Sequence, residues 1–376
     1  RFLYLPGKYS YGSGDGYYFG TNVNNKKPGA WEASQSNPDA KWETAVKQNY
    51  GIDFNILNER LSVSADYFIE KRRDILVSPD YLPGILGMTL PVVNVGKTEN
   101  RGFEIQAKWN DKLNDDFRYW ANFNLSFARN KIIFKNEVAQ NEEWMYETGR
   151  RIGSRSMYKF WGFYDETADK RYQTEYGRPI ADHGMTLAPG DAVFVDLNGD
   201  GVLNGDDATR DIGFTDIPEY TAGLNLGFSW KNFDLSMMWQ GTIGNDVYDA
   251  TRPIDIANAN LPSWMLNRWT GEGTSDKYPR FAWGDNTNWL SSDLYVYDGS
   301  YLRLKNIQLG YTLPKNWTRK AFVSSLRVYV AAENLLTFTK YHGYDPEISS
   351  GGTSLGIDRG VYPQSRTWTV GANLTF

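Results

Sequence analysis

The chain has 376 residues, of which 41% are hydrophobic and 15% aromatic, and no stretch approaches the roughly 18 apolar residues that a membrane-spanning helix requires. A helical membrane protein is therefore excluded, whereas a membrane-spanning β-barrel is not, because its lumen-facing residues are polar. With 45 acidic against 40 basic residues the net charge is −5, which argues against a nucleic-acid-binding protein. No cysteine is present, which excludes disulfides and thiolate metal sites.

Side chains that alternate between apolar and polar recur along the chain, and this period of two predicts β-strands. Nine strands are predicted, at residues 50–57, 61–69, 103–109, 117–127, 220–230, 233–239, 301–313, 326–332 and 368–376. One face repeatedly carries charged or amide side chains, such as Glu104, Gln106 and Asn124, which is not typical of a protein core. In a β-sandwich this face would meet solvent, and in a membrane barrel it would line the lumen.

Aromatic residues favour the barrel over the sandwich. They lie beside predicted turns, where the interfacial belt of a membrane barrel would be, at Tyr67, Trp109, Phe117, Tyr119, Trp230, Phe233 and Trp239. The last predicted strand also ends on an aromatic residue, Phe376, as outer-membrane barrels do. We therefore expect an all-β protein with a transmembrane antiparallel β-barrel.

Two local features qualify this pattern. The phase of alternation changes within residues 301–313, which predicts a β-bulge near Lys305–Asn306. The charged run Glu70–Asp74 is interpreted as the solvated end of the second strand.

The connections between predicted strands alternate between short and long, as in transmembrane barrels with short periplasmic turns and long extracellular loops. The short connections are residues 58–60, 111–116, 231–232 and 314–323, and the long ones are 77–98, 132–217, 244–299 and 340–365. This count requires the hydrophobic stretch Met157–Tyr164 to lie in an extracellular loop and not in the wall. Because nine is odd and the first strand lacks a partner, we expect part of a larger barrel whose upstream strands lie outside this sequence.

Several motifs resemble those of one known family. They are residues 37–43 (NPDAKWE), 94–104 (NVGKTENRGFE), 196–201 (DLNGDG), 299–306 (GSYLRLKN), 332–335 (AENL), 343–347 (GYDPE) and 362–363 (YP). Over essentially its whole length the chain resembles the SusC/RagA family, the TonB-dependent outer-membrane transporters of Bacteroidota.

The resemblance implies a barrel of about 22 strands with a plug domain inside it. It also implies a surface lipoprotein of the SusD type that closes over the top as a lid, and import driven by TonB through an amino-terminal box. The whole chain, residues 1–376, resembles only the carboxy-terminal part of such a barrel, so we expect the plug and amino-terminal domains outside this sequence. The expected location is the outer membrane of a Gram-negative bacterium of the Bacteroidota type, in contact with lipid and with loops at the cell surface.

The loop at residues 196–207 follows the spacing of a calcium-binding loop. The expected ligands, of which Val202 contributes its carbonyl, are Asp196, Asn198, Asp200, Val202, Asn204 and Asp207. Asp207 stands where an EF-hand has glutamate, and no flanking helix is evident, which argues against a calcium sensor. The alternative is a loop rich in Asx turns and glycine that needs no ion. Similar loops in the family bind calcium, so we expect a structural Ca²⁺ that makes a long extracellular loop rigid.

The sequence offers little material for catalysis. It contains only two histidines, His183 and His342, each in a loop-like segment, so a histidine metal cluster is excluded. Paired carboxylates are frequent, but a hydrolase would require a geometry that sequence cannot supply. We therefore predict that the chain is not an enzyme.

Aromatic side chains in the long loops are candidates for cargo binding, because they could stack on sugars or contact peptide side chains. These residues are Trp144, Tyr146, Trp264, Trp269, Trp283 and Trp289. The alternative is that they pack the loops or the interface with the lid, since Trp269 and Arg280 lie in stretches that resemble the general family pattern.

The sequence thus predicts part of a TonB-energised importer of oligosaccharides that works with a SusD-like lid. Import of oligopeptides by the same mechanism is the alternative. A hypothesis from another class is a secreted all-β carbohydrate-binding or adhesive module, in which calcium and surface tryptophans perform recognition. Such a module would lack a lipid-facing belt and would be soluble without detergent.

Overall fold

The computed structural model describes residues 9–21, 25–79, 90–251, 261–282, 284, 286–319, 322–348 and 356–376. The chain divides into two compact units. The first unit contains residues 1–48, 69–101 and 130–152, and the second contains residues 49–68, 102–129 and 153–376.

A nine-stranded antiparallel sheet is the main element, in the strand order β16-β14-β13-β10-β9-β6-β5-β4-β3. Its strands are β3 (Thr44–Ile56), β4 (Leu61–Val77), β5 (Val93–Lys112), β6 (Phe117–Phe134), β9 (Tyr220–Trp230), β10 (Phe233–Ile243), β13 (Tyr301–Thr312), β14 (Ser325–Thr339) and β16 (Thr367–Thr375). Each corresponds to one predicted strand, so the prediction of nine strands is confirmed. Sequential neighbours pair with one another, as antiparallel strands joined by turns or loops do.

The register gives the sheet one apolar and one polar face. Along β6 and β9, Phe117 lies opposite Trp230 and Phe127 opposite Tyr220, while Arg118 between them lies opposite a serine. The rings of Phe127 and Tyr220 are 4.8 Å apart between centroids. Aromatic pairs of this kind stabilise neighbouring strands. The polar face carries the charged and amide side chains that the alternation predicts.

The predicted bulge lies at Lys305. In the pairing of β10 with β13, Trp239 lies opposite Leu304 and Met238 opposite Asn306, so that Lys305 has no opposite residue in this register. The extra residue explains why even-numbered residues before it and odd-numbered residues after it share the apolar face. The prediction near Lys305–Asn306 is confirmed.

The strands extend beyond the predicted ends. β4 runs to Val77 through the charged run Glu70–Asp74, so the interpretation of that run as a strand end was wrong. Within the first unit, ion pairs of Glu70 with Lys47 at 3.0 Å and of Arg72 with Glu43 at 2.6 Å join this part of β4 to neighbouring residues. A cross-strand pair of opposite charge, such as Glu70 in β4 with Lys47 in β3, lets a strand continue through charged residues.

The first unit also contains a hairpin that the sequence reading did not predict. β1 (Tyr9–Phe19) pairs with β2 (Asn25–Glu32), with an irregular register between Gly12 and Tyr17. Glycine and lysine interrupt the alternation here, which explains why the pattern was missed.

The long loops of the second unit fold into small elements of their own. These are β7 (Phe160–Phe163), α1 (Ala168–Tyr176), β8 (Ala192–Phe194), β11 (Asp246–Asp249), β12 (Val296–Asp298) and β15 (Ile357–Asp358), while α2 (Lys315–Thr318) lies in a short connection. β7 pairs with β8 outside the large sheet, which confirms that residues 157–164 do not belong to the wall. β11 pairs with both β12 and β15.

One hydrophobic cluster, called the loop core below, joins these loops. It consists of the buried side chains Met157, Phe163, Ala192, Phe194, Phe214, Tyr248, Leu294 and Tyr295. Residues from two long connections therefore share one core, and they fold as a single body. In the part of the chain that the structure describes, no helix is long and apolar enough to cross a membrane.

Candidate functional site

The first half of the candidate calcium loop is held by its own side-chain oxygens. The Asp196 carboxylate accepts the N–H groups of Gly199 at 2.6 Å and Gly201 at 3.1 Å. The Asn198 side-chain oxygen accepts the Asp200 N–H at 3.0 Å. Gly201 has a φ of +85°, a left-handed conformation that favours glycine. The loop therefore makes a sharp turn at Gly201.

The second half of the loop closes on Asp207. Its carboxylate accepts the Leu197 N–H at 2.8 Å and the Asn204 N–H at 2.9 Å, so it joins the beginning and the end of the loop. The Asn204 side chain accepts the Asp206 N–H at 2.7 Å and caps the short 3₁₀ helix Gly205–Asp207. Reciprocal capping of this kind fixes the backbone at a helix start.

The two end carboxylates of the loop are completely buried, since Asp196 and Asp207 each expose 0% of their surface. Burial raises the pKa of the Asp207 carboxyl, N–H donors from Asn204 and Leu197 oppose this increase, and the nearby Asp196 carboxylate adds to it. Arg178 brings its Nε to 3.7 Å from Asp196 Oδ2 and also donates to the Asp196 carbonyl. Asp196 therefore has a cation near it in Arg178, and a bound cation would further offset the repulsion between the two buried carboxylates.

The fit of an ion depends on the other oxygens of the loop. Among the described residues, no group of three or more His, Cys, Asp or Glu side chains is placed to hold a metal ion. An ion here would therefore also need amide and carbonyl oxygens, which calcium accepts among its roughly six to eight ligands. Val202 forms a parallel β-bridge with Asp182, in which the Asp182 N–H donates to the Gly201 carbonyl and the Leu203 N–H donates to the Asp182 carbonyl. This bridge does not use the Val202 carbonyl, which is the expected calcium ligand. The expected positions offer carboxylate, amide and carbonyl oxygens, which are the types of ligand that calcium binds.

Two candidate cargo-binding residues lie in the connection after β6. Trp144 belongs to the short 3₁₀ helix Glu143–Met145, and both Trp144 and Tyr146 are half-buried. The Tyr146 hydroxyl accepts the Gln140 N–H at 2.9 Å. The Tyr146 side chain therefore helps to fold this connection.

Trp269 and Trp289 both pack against the loop core. The Trp269 ring lies so close to Gly190 that a side-chain carbon on that residue would be 2.3 Å from it. Trp289 stacks on Tyr295 with 6.1 Å between ring centroids. The structure therefore brings these two predicted residues together as part of the packing of the loops.

Trp264 lies in a separate aromatic group. Its indole stacks on Tyr278 at 4.7 Å between centroids and meets the edge of His342 at 6.0 Å. Tyr297 completes the group at 4.3 Å from the His342 ring. The remaining candidate, Trp283, lies outside the described residues.

His342 also joins this aromatic group to a buried carboxylate. Its Nε2 is 3.1 Å from Asp249, which in turn accepts the Thr251 N–H at 2.8 Å. Burial raises the pKa of the Asp249 carboxyl, but the hydrogen bonds from His342 and Thr251 outweigh it and lower the pKa overall. Sequence reasoning placed His342 only in a loop, because a lone histidine carries no signal of its partner.

A further network escaped sequence analysis, although it joins two of the quoted motifs. Arg303, in the motif of residues 299–306, contacts Asp345 and lies 3.0 Å from Glu347, both in the motif of residues 343–347. Lys305 reaches the same Glu347 at 2.7 Å. A signal was present in the sequence: Arg303 lies on the polar face of a strand, and two carboxylates follow the next strand.

Residues 7–335 match the family described as TonB dependent receptor-like, beta-barrel. The TonB-dependent receptor P3 of Formosa agariphila is 32% identical over 365 residues, which cover 91% of this chain and 35% of that receptor. The TonB-dependent receptor SusC of Bacteroides thetaiotaomicron is 27% identical over 397 residues, which cover 100% of this chain and 36% of SusC. The chain thus spans about a third of the length of these relatives.

Solved structures show the same fold. A chain of the structure described as the RagAB peptide importer in the closed-closed state aligns with a TM-score of 0.69 at 25% identity. This alignment covers 98% of the present chain and 39% of that chain. The open-open state of the same importer gives a TM-score of 0.71 at 24% identity.

Proposed function

The chain belongs to the TonB-dependent receptor-like β-barrel family of outer-membrane proteins, and we propose that it forms the carboxy-terminal wall of a nutrient importer. The transmembrane antiparallel barrel predicted from the alternation is the fold of this family. The family consists of receptors and not of enzymes, in agreement with the prediction for this chain.

We further propose that the remaining strands, a plug and an amino-terminal segment for TonB belong to the same protein outside this sequence. The relatives support this proposal, because they are about three times as long as the matching part. The long loops then lie at the surface of a Gram-negative cell of the Bacteroidota type. A SusD-like lipoprotein would cover them as a lid.

The proposed cargo is an oligosaccharide. The observation that carries this proposal is the aromatic group of Trp264, Tyr278 and Tyr297, which lies in long loops that share one packed body. Tyr278 is buried and holds the half-buried Trp264 ring rigidly, and an indole held in this way suits stacking on a sugar ring. Oligopeptides are the second candidate cargo. The RagAB peptide importer, one chain of which is 25% identical to this chain in sequence, supports this candidate.

Uptake by living cells tests this proposal. Fluorescent oligosaccharides and oligopeptides of similar mass would be offered to cells with the full-length protein, to cells lacking it and to cells depleted of TonB. We expect saccharide uptake that requires both the protein and TonB, and a severalfold loss in Trp264→Ala. Trp317→Ala, which removes an exposed ring in the short connection after β13, serves as the control. Saccharide uptake that is the same in cells with and without the protein would contradict the proposal.

We also propose that residues 196–207 bind one structural Ca²⁺. The ligands would be the side-chain oxygens of Asp196, Asn198, Asp200, Asn204 and Asp207 and the carbonyl of Val202. The two completely buried carboxylates of the loop support the proposal, because a divalent cation offsets their mutual repulsion. The ion would hold the loop in its folded form and would take no part in chemistry.

A further inference from the structure

An open groove of about 750 Å³ runs along the wall at the ends of the strands that lead into the long loops. Its floor consists of Ala222 and Gly241, which lie directly opposite each other in β9 and β10. The next residues in the same row are large, since Leu125 lies opposite Ala222 and Leu302 lies opposite Gly241. A methyl group and a glycine between two large side chains thus leave a depression in the surface of the sheet.

The groove lies on the apolar face. Leu302 and Phe338, which are paired in β13 and β14, form one side, and Ile243 continues it. These three side chains expose 46%, 57% and 62% of their surface. In the barrel family to which the chain belongs, this face of the wall meets lipid. The depression is therefore open to the bilayer and not to the lumen.

Aromatic residues fix the level of the groove in the membrane. Phe127 and Tyr220 form a ring pair on one side, and Trp239 stacks on Phe338 at 6.4 Å on the other. Such residues concentrate at the border between acyl chains and headgroups. An apolar groove at this border has the position that the upper part of an acyl chain occupies.

The rim of the groove is polar. It contains Ser300, Thr339 and the cation of Lys340, together with Asp298, whose carboxylate accepts the Ser300 N–H at 2.9 Å. A phosphate held above the groove would meet the ammonium group of Lys340. The Lys340 ammonium group thus complements a phosphorylated headgroup, against the Asp298 carboxylate on the same rim, and the floor complements an acyl chain.

We propose that this groove is a binding site for one acyl chain of an outer-leaflet lipid whose phosphorylated headgroup contacts Lys340. Only the assignment of the groove to the outer leaflet rests on the proposed function, because that function places the long loops outside the cell. Binding of lipid requires neither cargo nor TonB.

Native mass spectrometry of the full-length protein, stripped of lipid and titrated with diphosphorylated lipid A, tests the site. We expect one saturable lipid on the wild type and at least tenfold weaker binding in Ala222→Phe, which fills the groove. Ala121→Phe, a change on the same face outside the groove, should bind as the wild type does. Lys340→Gln should weaken binding severalfold, whereas Lys231→Gln at the short-turn end should not.

Equal lipid binding by wild type and Ala222→Phe would overturn the proposal. So would a loss of self-association or of a bound lipoprotein in Ala222→Phe with unchanged lipid binding, because the groove would then hold a second copy or a lipid anchor. If Ala222→Phe does not assemble, Phe338→Ala, which removes one side of the groove, is measured against the same prediction. A protein that binds lipid but imports nothing would leave this site intact and contradict only the proposed function.

Discussion

Arg303 and Asp345 form a buried ion pair that joins β13 to the loop after β14, with only 2% and 5% of their surfaces exposed. Asp345 also accepts N–H groups from Glu347 and Gln364, each at 2.9 Å. Burial raises the pKa of the Asp345 carboxyl, but the Gln364 N–H and Arg303 outweigh it and lower the pKa overall. A strand of the wall thereby fixes the conformation of a long loop.

Removing the arginine should release this loop. Arg303→Met leaves the buried Asp345 carboxylate without its cation, while Glu347 keeps Lys305, and loss of one partner of a buried pair costs about 3–5 kcal/mol. We expect the free energy of local opening, from hydrogen exchange of the Glu347 and Gln364 amides, to fall by about 3 kcal/mol. The exposed pair Lys112–Asp115, at 3.6 Å, provides the control, and Lys112→Met should change stability by less than about 1 kcal/mol. A similar small effect in Arg303→Met would contradict the assigned role.

Gly190 is expected to accept no side chain. Its φ is +90°, and an added Cβ would lie 2.3 Å from the Trp269 ring and 2.8 Å from the Arg280 Cβ. Gly190→Ala should therefore destabilise the loop core by about 2–4 kcal/mol, the sum of overpacking and left-handed strain. Gly184→Ala, with a φ of +71° and no atom of the described residues beyond its chain neighbours within 4 Å of an added Cβ, carries the strain alone and should cost about 1 kcal/mol. Equal losses in the two variants, measured by thermal unfolding, would contradict this packing.

The loop core should lose stability in mild acid because of His183. Its Nδ1 lies 2.8 Å from the Ala181 carbonyl, and its Nε2 accepts the Phe194 N–H at 3.1 Å, so the folded ring is neutral. Burial lowers the pKa of this histidine, although the Ala181 carbonyl opposes the shift. The unfolded state then binds more protons below about pH 6.5, and stability falls from there until the lower folded pKa is reached. Hydrogen exchange at Phe194 should show this loss, and His183→Gln should remove most of it. A flat profile in the wild type would contradict the assignment.

The calcium proposal predicts a local effect. Asp200→Ala should increase protease cleavage within residues 132–217 and abolish protection by added Ca²⁺, while the barrel stays folded. Asp169→Ala removes an exposed carboxylate of α1 in the same loop and should leave cleavage unchanged. Sensitivity that is the same in Asp200→Ala and the wild type, with and without a chelator, would argue against a bound ion.

Alternation of side chains was sufficient to find all nine strands of the sheet, since each strand has one apolar face and the period of two needs no distant information. The bulge at Lys305 was predictable for the same reason, because an inserted residue shifts the phase. Strand ends were less predictable. β4 continues to Val77 through charged residues whose partners lie on other segments.

The site was predictable only where its residues are local. The loop at 196–207 forms hydrogen bonds over a few residues, so its spacing is visible in the sequence. The contacts of Arg303 with Asp345 and of His342 with Asp249 join residues 42 and 93 positions apart, which no local pattern encodes. Likewise, the packing of Trp269 against Gly190 depends on how two long loops meet.

A nitroxide scan along β14 tests most directly whether this sheet is a membrane wall. Residues 328–331 would be replaced singly by spin-labelled cysteine in the full-length protein in liposomes, and accessibility to oxygen, which concentrates in lipid, would be measured. We predict maxima at Val328 and Val330, which expose 40% and 47% of their surface on the apolar face, and minima at Tyr329 and Ala331. Uniform oxygen accessibility at the four positions, or a protein that stays soluble and monomeric without detergent, would contradict the membrane assignment.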